Sequence, residues 1–321
     1  MSLYPFLLNP ALHVKVWGGR KLETIMGKQL PTNEPYGESW EMHDTATVAN
    51  GALAGRKLGD LLKEYGHDLV GKKNNPAEGF PLLAKILDPS DWLSVQVHPN
   101  DEQAKELEGD PRGKTEAWYV LYSEPGAKLV KAVKPGTTRE AMAQAIRDNK
   151  LEDLLVYAEV EVGDVLLNNA GGIHALGPGI VIYEIQQSSD VTYRLYDWGR
   201  MDLNGKPREL HIDKGVKVAN LDVIPPITHT AGNTLPVVDV VQCPYFVTLL
   251  HQLNPRNGTR ITLDTNGEQF HILTCVDGSG TVSTGNTSVD FKLGQTVLIP
   301  ANQGEYALSG TTRVLRSFQP S

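Results

Sequence analysis

The sequence lacks several features that would define its class at once. Only two of its 321 residues are cysteines, Cys243 and Cys275, which is too few for a disulfide framework and predicts two buried thiols. No apolar run is long enough to span a bilayer. The N-terminal segment MSLYPFLLNPALHVKVWGG has neither a basic region nor a small-residue cleavage site, so no signal peptide is predicted. A cytoplasmic protein without a membrane partner is therefore expected.

The sequence also has fewer basic than acidic residues. Lys and Arg total 30 against 38 Asp and Glu, which gives a net charge of −8. Nucleic-acid binding requires a basic surplus, so no such partner is expected, although a small cluster of basic side chains is enough to hold one phosphate group. The sequence leaves the oligomeric state open.

Short β-like runs separated by turn residues dominate the chain, as is typical of a sandwich or barrel. Strands are predicted within residues 128–136, 161–169, 179–187, 191–198, 270–280 and 297–301. Three segments have helical periodicity and are predicted to be packing helices without a site of their own: 58–70, 100–109 and 137–155.

Two pairs of similar segments indicate an internal duplication. Residues 163–174 (GDVLLNNAGGIH) and 294–305 (GQTVLIPANQGE) share a glycine, an apolar strand, small residues and a final polar residue. Residues 116–121 (EAWYVL) resemble 268–273 (EQFHIL), which continues into CVDGSGTV, a predicted turn between two strands. Chance similarity is the alternative for each match alone, but their common order favours duplication. The segment 224–238, rich in Pro, Thr and Gly, is the predicted linker.

Two predicted strands place polar side chains on one face. In SVQVHPND, Ser94, Gln96 and His98 share a face, because successive side chains of a strand point to opposite sides. In GKTEAWYV, the same alternation places Lys114 and Glu116 together.

A third segment, NAGGIHALG, adds His174 after a glycine-rich turn that allows a sharp bend. With Gln96, His98 and Glu116 it supplies two imidazoles, one carboxylate and one amide oxygen. This donor set suits a divalent metal, Zn²⁺ and also Fe²⁺ or Mn²⁺. A single polar residue at a strand end is more often structural, so the combination carries the prediction.

Two charged residues lie at the centres of later strands. In IVIYEIQQSSDVTYRLYDWGR, Glu184 and Arg194 flank a predicted turn at Ser188 to Asp190. Charged groups in such places are costly to bury unless they are paired or bind a ligand. The alternatives are a ligand site and a structural Glu184–Arg194 ion pair across a hairpin.

At these residues the sequence resembles a known family, type I mannose-6-phosphate isomerase in its short bacterial form. The resemblance rests on SVQVHPND, GKTEAWYV, the HAL turn and YEIQQSSDVTYRLYDWGR, and it extends to VWGGRKL, GESWE, PLLAKILD and GKPRELHIDK, so it covers most of the chain. The turn before His174 departs from the pattern: the family usually has a Pro and a Thr there, whereas this chain has two successive glycines, Gly171 and Gly172, which predict a more flexible loop.

The resemblance implies a mostly β protein with two cupin-type (jelly-roll) β-barrels and helical insertions in the N-terminal part. Residues 1–235 would form the catalytic cupin domain and residues 236–321 a metal-free cupin domain. The implied activity is a zinc-dependent aldose–ketose isomerase that interconverts mannose 6-phosphate and fructose 6-phosphate through an enediol. One Zn²⁺ per chain and a small-molecule sugar phosphate are the expected cofactor and partner.

The family's site residues are carried over by motif position. The zinc ligands fall on Gln96, His98, Glu116 and His174, the catalytic groups on Arg194 and Lys114, and substrate-binding groups on Lys85 and Ser94. Glu184, at its strand centre, is a further expected substrate-binding residue.

An enediol mechanism needs a cation to meet the charge that develops on neighbouring sugar oxygens, and Zn²⁺ and Arg194 are both suited to this. Proton transfer needs another group, for which Lys114, Glu184 and a water held by the metal are all candidates.

Two other classes of protein stay as alternatives. A cupin Fe(II) dioxygenase would use a similar donor set but has no use for phosphate-binding side chains, and a non-catalytic sugar-phosphate-binding cupin would keep binding and lose turnover.

Overall fold

The computed structural model describes residues 3–285 and 287–320, and every structural statement below refers to them. The strands are β1 Phe6–Asn9, β2 Ala11–Gly19, β3 Tyr36–Met42, β4 Thr47–Val48, β5 Leu82–Leu87, β6 Val95–Val97, β7 Glu116–Ser123, β8 Lys128–Val133, β9 Leu155–Glu159, β10 Asp164–Asn168, β11 Ala175–Leu176, β12 Ile180–Gln187, β13 Tyr193–Tyr196, β14 Ile227–His229, β15 Val237–Gln242, β16 Val247–Leu253, β17 Arg260–Asp264, β18 His271–Ser283, β19 Ser288–Lys292, β20 Thr296–Ile299 and β21 Glu305–Phe318. The α-helices are α1 Lys21–Thr24, α2 Leu58–Tyr65, α3 His67–Val70, α4 Asp101–Glu108, α5 Arg139–Arg147 and α6 Ile212–Val218. Short 3₁₀ helices occur at Gly51–Leu53, Pro76–Glu78, Leu151–Leu154 and Ala301–Gln303.

The predicted strands and helices are confirmed with shifted ends. The segment 58–70 divides into α2 and α3 at Gly66, whose φ of 50° lies in the left-handed region. α4 begins after Asn100, which forms a capping box with Gln103. α5 ends at Arg147, so the third segment is helical over less than its predicted length.

The turn predicted in CVDGSGTV is wrong. β18 continues through this segment as one strand of 13 residues, with a bulge after Cys275. Its partner β21 is 14 residues long and supplies hydrogen bonds on both sides of the bulge. The glycines accommodate a bulged strand here rather than a chain reversal.

Two large antiparallel sheets pack against each other through a shared apolar core. The first has the order β14-β10-β7-β12-β5-β3-β2, and the second has the order β15-β16-β21-β18-β20-β1-β4, with β17 and β19 paired to β21 and β18. Smaller sheets are β11-β8-β9 and β13-β6. The mostly β class is confirmed. Closed barrels are not confirmed, because neither large sheet closes on itself over the described residues.

The two large sheets repeat one strand order. The run β10-β7-β12-β5-β3 of the first sheet matches the run β20-β18-β21-β16-β15 of the second. Both runs also carry a bulge at the corresponding place, after Trp40 in β3 and after Asp239 in β15. The pairing pattern therefore supports the predicted duplication.

The pairing also corrects one predicted match. Glu116 lies opposite Asn168, the last residue of β10, and His271 lies opposite Ile299, the last residue of β20. Glu116 thus corresponds to His271, whereas the sequence comparison had aligned it with Glu268. The predicted match of residues 163–174 with residues 294–305 agrees with the pairing, because it aligns Asn168 with Ile299.

The division of the chain between the two large sheets does not follow the sequence order near either end of the N-terminal part. β1 pairs with β20, with Phe6 opposite Leu298, so the second sheet includes residues from before position 10. β14 lies inside the predicted linker and pairs with β10, which leaves residues 230–236 as the connection to β15. The domain division at residue 235 stays a prediction. No described helix has the length and apolar character that a membrane crossing requires.

A buried ion pair joins the two large sheets. Lys28 Nζ lies 2.6 Å from Glu41 Oε1 in β3 and donates to the carbonyl of Gly294 at 2.7 Å. Glu41 also accepts hydrogen bonds from Ser39 at 2.6 Å and from Thr296 of β20 at 3.2 Å. The buried carboxylate of Glu41 is therefore held by one cation and two hydroxyl groups.

We expect Lys28→Met to lower the free energy of unfolding by about 3–5 kcal/mol, because it leaves Glu41 ionised, buried and without its cation. Urea denaturation followed by circular dichroism measures this. The control is Lys63→Met, which removes a cation from the exposed pair with Asp60 and should change stability little. Equal effects of the two substitutions would contradict the prediction.

Candidate active site

A cavity of about 370 Å³ lies beside the β3-β5-β12 part of the first sheet. Charged side chains dominate its lining: Lys15, Glu38, Lys85, Lys114, Glu184, Asp190 and Arg208. Other members are His13, Trp17, Trp40, Leu87, Leu93, Ser94, Gln96 and Thr192. The volume is in the range of pockets that enclose a small ligand.

Three predicted metal ligands, His98, Glu116 and His174, form a buried cluster next to this cavity. Their ligand atoms all lie within 4.8 Å of one another, and none of the three side chains is more than 1% exposed. Glu116 Oε1 is 3.1 Å from His174 Nε2, and Glu116 Oε2 is 3.5 Å from His98 Nε2. The predicted convergence of the three residues is therefore observed.

The donor atoms of this cluster fit a divalent metal. His98 Nδ1 lies 2.9 Å from the carbonyl of Val191, and His174 Nδ1 lies 3.0 Å from the carbonyl of Gly172. These contacts place the ring proton on Nδ1 and leave each Nε2 lone pair directed at the cluster centre. Glu116 Oε1 is buried and accepts no hydrogen bond. Such an orphaned carboxylate oxygen beside two imidazole lone pairs is what a cation would satisfy.

Gln96 reaches the same centre from β6. Its side-chain amide lies 3.3 Å from His174 Nε2, and its backbone exchanges two hydrogen bonds of 3.0 Å with His174. The fourth predicted ligand is thus within contact distance of the cluster, and a half-turn of the amide directs its oxygen inward.

Lys114 controls the electrostatics of the cluster. Its Nζ donates to Glu116 Oε2 at 2.7 Å and lies 3.2 Å from His98 Nε2. Burial, and then Lys114, lower the pKa of His98 well below its usual range, so that imidazole is neutral. Burial alone would raise the pKa of Glu116, but the ammonium of Lys114 holds it well below its usual range. A neutral imidazole and an ionised carboxylate are the protonation states that metal binding requires.

The glycine turn before His174 is held by backbone hydrogen bonds, in contrast to the flexible loop expected. Gly171 donates to the carbonyl of His98 and accepts from Asn220, both at 2.8 Å, while Gly172 donates to Asn169 at 2.9 Å. Gly171 has a φ of 86°, and a Cβ there would lie 3.0 Å from the carbonyl of Val218. The tight contact explains a glycine at this position.

A second buried network lies on the cavity wall. Lys85 Nζ is 3.1 Å from Glu184 Oε1, donates to Gln186 at 2.7 Å and lies 5.2 Å from the ring centre of Trp40. Trp118 Nε1 donates to the other oxygen of Glu184 at 2.8 Å. Burial would lower the pKa of Lys85, but Glu184 and then Glu38 raise it above its usual range, so the ammonium stays charged.

The alternative of a Glu184–Arg194 ion pair is wrong. β13 pairs with β6 and not with β12, so the two residues do not face each other across a hairpin. Glu184 instead pairs with Lys85. Arg194 Nη1 donates to the carbonyl of Glu209 at 2.8 Å, and its Nε is buried without a partner.

Arg208, rather than Arg194, is the arginine that lines the cavity. Its Nε donates to Asp197 Oδ2 at 2.7 Å, and the same carboxylate accepts from Arg200 at 2.9 Å. The structure thus places Lys85, Ser94, Gln96, Lys114 and Glu184 on the cavity wall and the three buried metal ligands beside it.

Sequence reasoning missed several cavity residues, most clearly Glu38 and Trp40. Trp40 Nε1 donates to Glu38 at 2.6 Å, and Lys15 lies 3.0 Å from Glu38. Burial would raise the pKa of Glu38, but Lys85 and Lys15 lower it to about 2. Alternation within GESWE places Glu38 and Trp40 on one face, which is the signal that was available. The missed Arg208 lies within GKPRELHIDK.

Comparison with known proteins identifies the family. Residues 6–119 match the family described as "Phosphomannose isomerase type I, catalytic domain", and residues 237–319 match "Mannose-6-phosphate isomerase, cupin domain". Mannose-6-phosphate isomerase ManA of Bacillus subtilis is 33% identical over 317 residues, which cover 97% of each chain. This chain belongs to the type I phosphomannose isomerase family. The predicted resemblance is confirmed.

Other members of the phosphomannose isomerase family agree over the whole length. Mannose-6-phosphate isomerase of Streptococcus mutans is 32% identical over 321 residues, which cover 98% of each chain. The crystal structure of the Bacillus subtilis mannose 6-phosphate isomerase has a TM-score of 0.87 and 30% identity, over 98% of this chain and 99% of that chain.

We expect the purified protein to hold one equivalent of a divalent metal per chain, and His98→Ala with His174→Ala to abolish its retention, because only Glu116 and Gln96 then remain as donors. Elemental analysis after gel filtration measures the metal content. The control is His229→Ala, whose exposed imidazole lies beside Asp164 and is not part of the cluster. Two equivalents per chain, or full retention in the double variant, would contradict this expectation.

Proposed function

We propose that this chain interconverts mannose 6-phosphate and fructose 6-phosphate, with a zinc ion held by Gln96, His98, Glu116 and His174. The observation that carries the proposal is the buried cluster of two imidazoles and a carboxylate next to a charged cavity. Membership of the phosphomannose isomerase family supports the choice of substrate. When bound, zinc supplies a Lewis acid that stabilises negative charge on sugar oxygens.

The reaction moves a proton between C1 and C2 of the sugar through an enediol, so negative charge develops on the neighbouring oxygens. Lys114 is the proposed proton carrier, because it both lines the cavity and contacts the metal-binding cluster. Glu184 is less suited, since Lys85 and Trp118 already engage its two oxygens. Its proposed role is to hold Lys85 so that the ammonium faces the substrate.

The phosphate group of the substrate is remote from the reacting carbons and orients the sugar through its binding energy. Cavity-lining side chains able to bind it are Ser94, Lys15 and Arg208. Arg208 presents a planar fork of donors that matches phosphate geometry, and Asp197 fixes its orientation.

Arg194 keeps its proposed role of stabilising the enediolate. In the structure its guanidinium is engaged by the carbonyl of Glu209, so this role requires the side chain to leave that contact and enter the cavity. The unpartnered Nε shows that its present hydrogen bonding is incomplete.

The two arginines are expected to give opposite kinetic signatures. Arg194→Ala should lower kcat by about a hundredfold or more, with smaller effects on KM and metal content, because its interaction strengthens as charge develops. Arg208→Ala should mainly raise KM, since phosphate is bound equally in the ground and transition states. Steady-state kinetics of both variants measures this.

Arg194→Lys should restore little of the lost kcat, because lysine lacks the planar fork. Near-normal kcat in metal-loaded Arg194→Ala would remove Arg194 from the mechanism.

The overall proposal is tested by an isomerase assay on metal-loaded protein with and without a chelator. We expect mannose 6-phosphate to be converted, activity to disappear with the chelator and to return on adding Zn²⁺, and unphosphorylated mannose to react far more slowly. Saturable binding of mannose 6-phosphate without turnover would instead identify a sugar-phosphate-binding protein.

A further inference from the structure

The repeated strand order identifies a second face in the molecule that corresponds to the cavity wall. In the first sheet, Glu184 lies opposite Lys85 and Trp118. In the second sheet, Arg316 of β21 lies opposite Leu249 and Leu273 in the matching strands. Arg316 therefore occupies the place of Glu184.

The same correspondence places two histidines on this second face. His271 matches the metal-ligand position Glu116, as the strand ends show. His251 pairs with Val314 and Val237, and it matches the cavity residue Leu87, which pairs with Ile182 and Glu38.

These side chains form what we call the C-terminal polar cluster, consisting of His251, His271, Tyr306, Arg316 and Phe318. His271 Nδ1 lies 2.8 Å from the hydroxyl of Tyr306, and its ring centre is 5.2 Å from that of Phe318. The guanidinium of Arg316 lies 4.7 Å from the centre of the Phe318 ring. The charge of Arg316 acts on the imidazoles of both His251 and His271, so the five residues lie together.

Three polar atoms of the cluster lack hydrogen-bond partners. His251 is 2% exposed, yet neither of its ring nitrogens has a hydrogen-bond partner, and Arg316 Nε is also buried and unpartnered. Leaving buried polar groups without partners is costly, and more so for charged groups. Arg316 as a whole is only partly buried.

The charge of the cluster is positive and uncompensated. Burial, and then Arg316, lower the pKa of His251 to about 4 and that of His271 to about 3, so both rings are neutral near pH 7. No carboxylate forms an ion pair with Arg316 among the residues described. Register places Asp239 opposite Leu249 on this face, and Asp264 lies near Tyr306, but neither is within ion-pair distance of the guanidinium.

We propose that the C-terminal polar cluster is a second ligand site, which binds a phosphate-type oxyanion through the guanidinium of Arg316, an N–H of His251 and the hydroxyl of Tyr306. A planar guanidinium with neighbouring neutral donors and no carboxylate in contact is suited to such an anion. A metal is disfavoured here, because the cluster contains a cationic guanidinium and no carboxylate. The site lies on the sheet that the proposed isomerase reaction does not use.

The test uses histidine-ring NMR signals of the zinc-loaded full chain during titration with inorganic phosphate. The signals are assigned with His251→Gln and His271→Gln. We expect saturable shifts of both rings, and we expect Arg316→Met to weaken the binding that they report by about tenfold or more. The matched control is Arg256→Met, which removes an exposed arginine from the same part of the chain and should leave affinity unchanged.

The same spectra separate this site from the proposed active site. His98 and His174 report on anion binding there, so shifts confined to them would overturn the proposal. Absence of any saturable shift at His251 in the unmodified protein would also overturn it, whatever the variants do. Should Arg316→Met fail to fold, Arg316→Lys keeps the charge, loses the fork and is expected to weaken binding as well.

Two further titrations identify the source of the oxyanion. A non-reacting monoester such as glycerol phosphate should shift His251 at lower concentration than inorganic phosphate if the natural ligand is a phosphorylated metabolite. Equal or weaker binding of the monoester identifies inorganic phosphate as the ligand. A response to acetate but to neither phosphate compound would contradict the phosphate assignment.

Discussion

The backbone pairing of Gln96 with His174 is the contact on which the site depends. Each residue donates its N–H to the other's carbonyl at 3.0 Å, which brings the end of β6 against the turn that follows β10. Two proposed metal ligands are positioned directly by this exchange. Because Glu116 begins β7, which pairs with β10, its carboxylate is delivered to the same point from the large sheet. The cluster thus lies where a small sheet meets a large one.

Trp118 couples the metal-binding cluster to the cavity wall. The edge of its ring meets His174, with ring centres 5.3 Å apart, and its Nε1 donates to Glu184. Glu184 in turn holds Lys85, which lies over Trp40. These contacts connect His174 to Trp40 through a continuous series of packed side chains.

Alternation within strands was sufficient to predict the core of the site, because it depends only on local geometry. Ser94, Gln96 and His98 were grouped correctly for that reason. The pairing of β13 was not predictable in the same way: β12 and β13 are adjacent in sequence, but β13 pairs with β6, and long-range contacts decide such a choice. The register of β18 is likewise determined by β20 and β21, which explains the misplaced match of Glu116 with Glu268. The three helical segments, by contrast, were predicted from periodicity alone.

The matching bulges after Trp40 and Asp239 show that the two sheets share backbone geometry, although the side chains at matching positions differ. In each sheet one face packs against the other sheet through a shared apolar core, and the opposite face carries a separate apolar cluster beside its polar residues. Main-chain hydrogen bonds hold the strands in register, so the polar side chains on this second face can differ between the two sheets while the strand order is kept. A pair of sheets of this kind is suited to protein engineering, because the binding residues of one sheet can be replaced while the active site on the other sheet is kept.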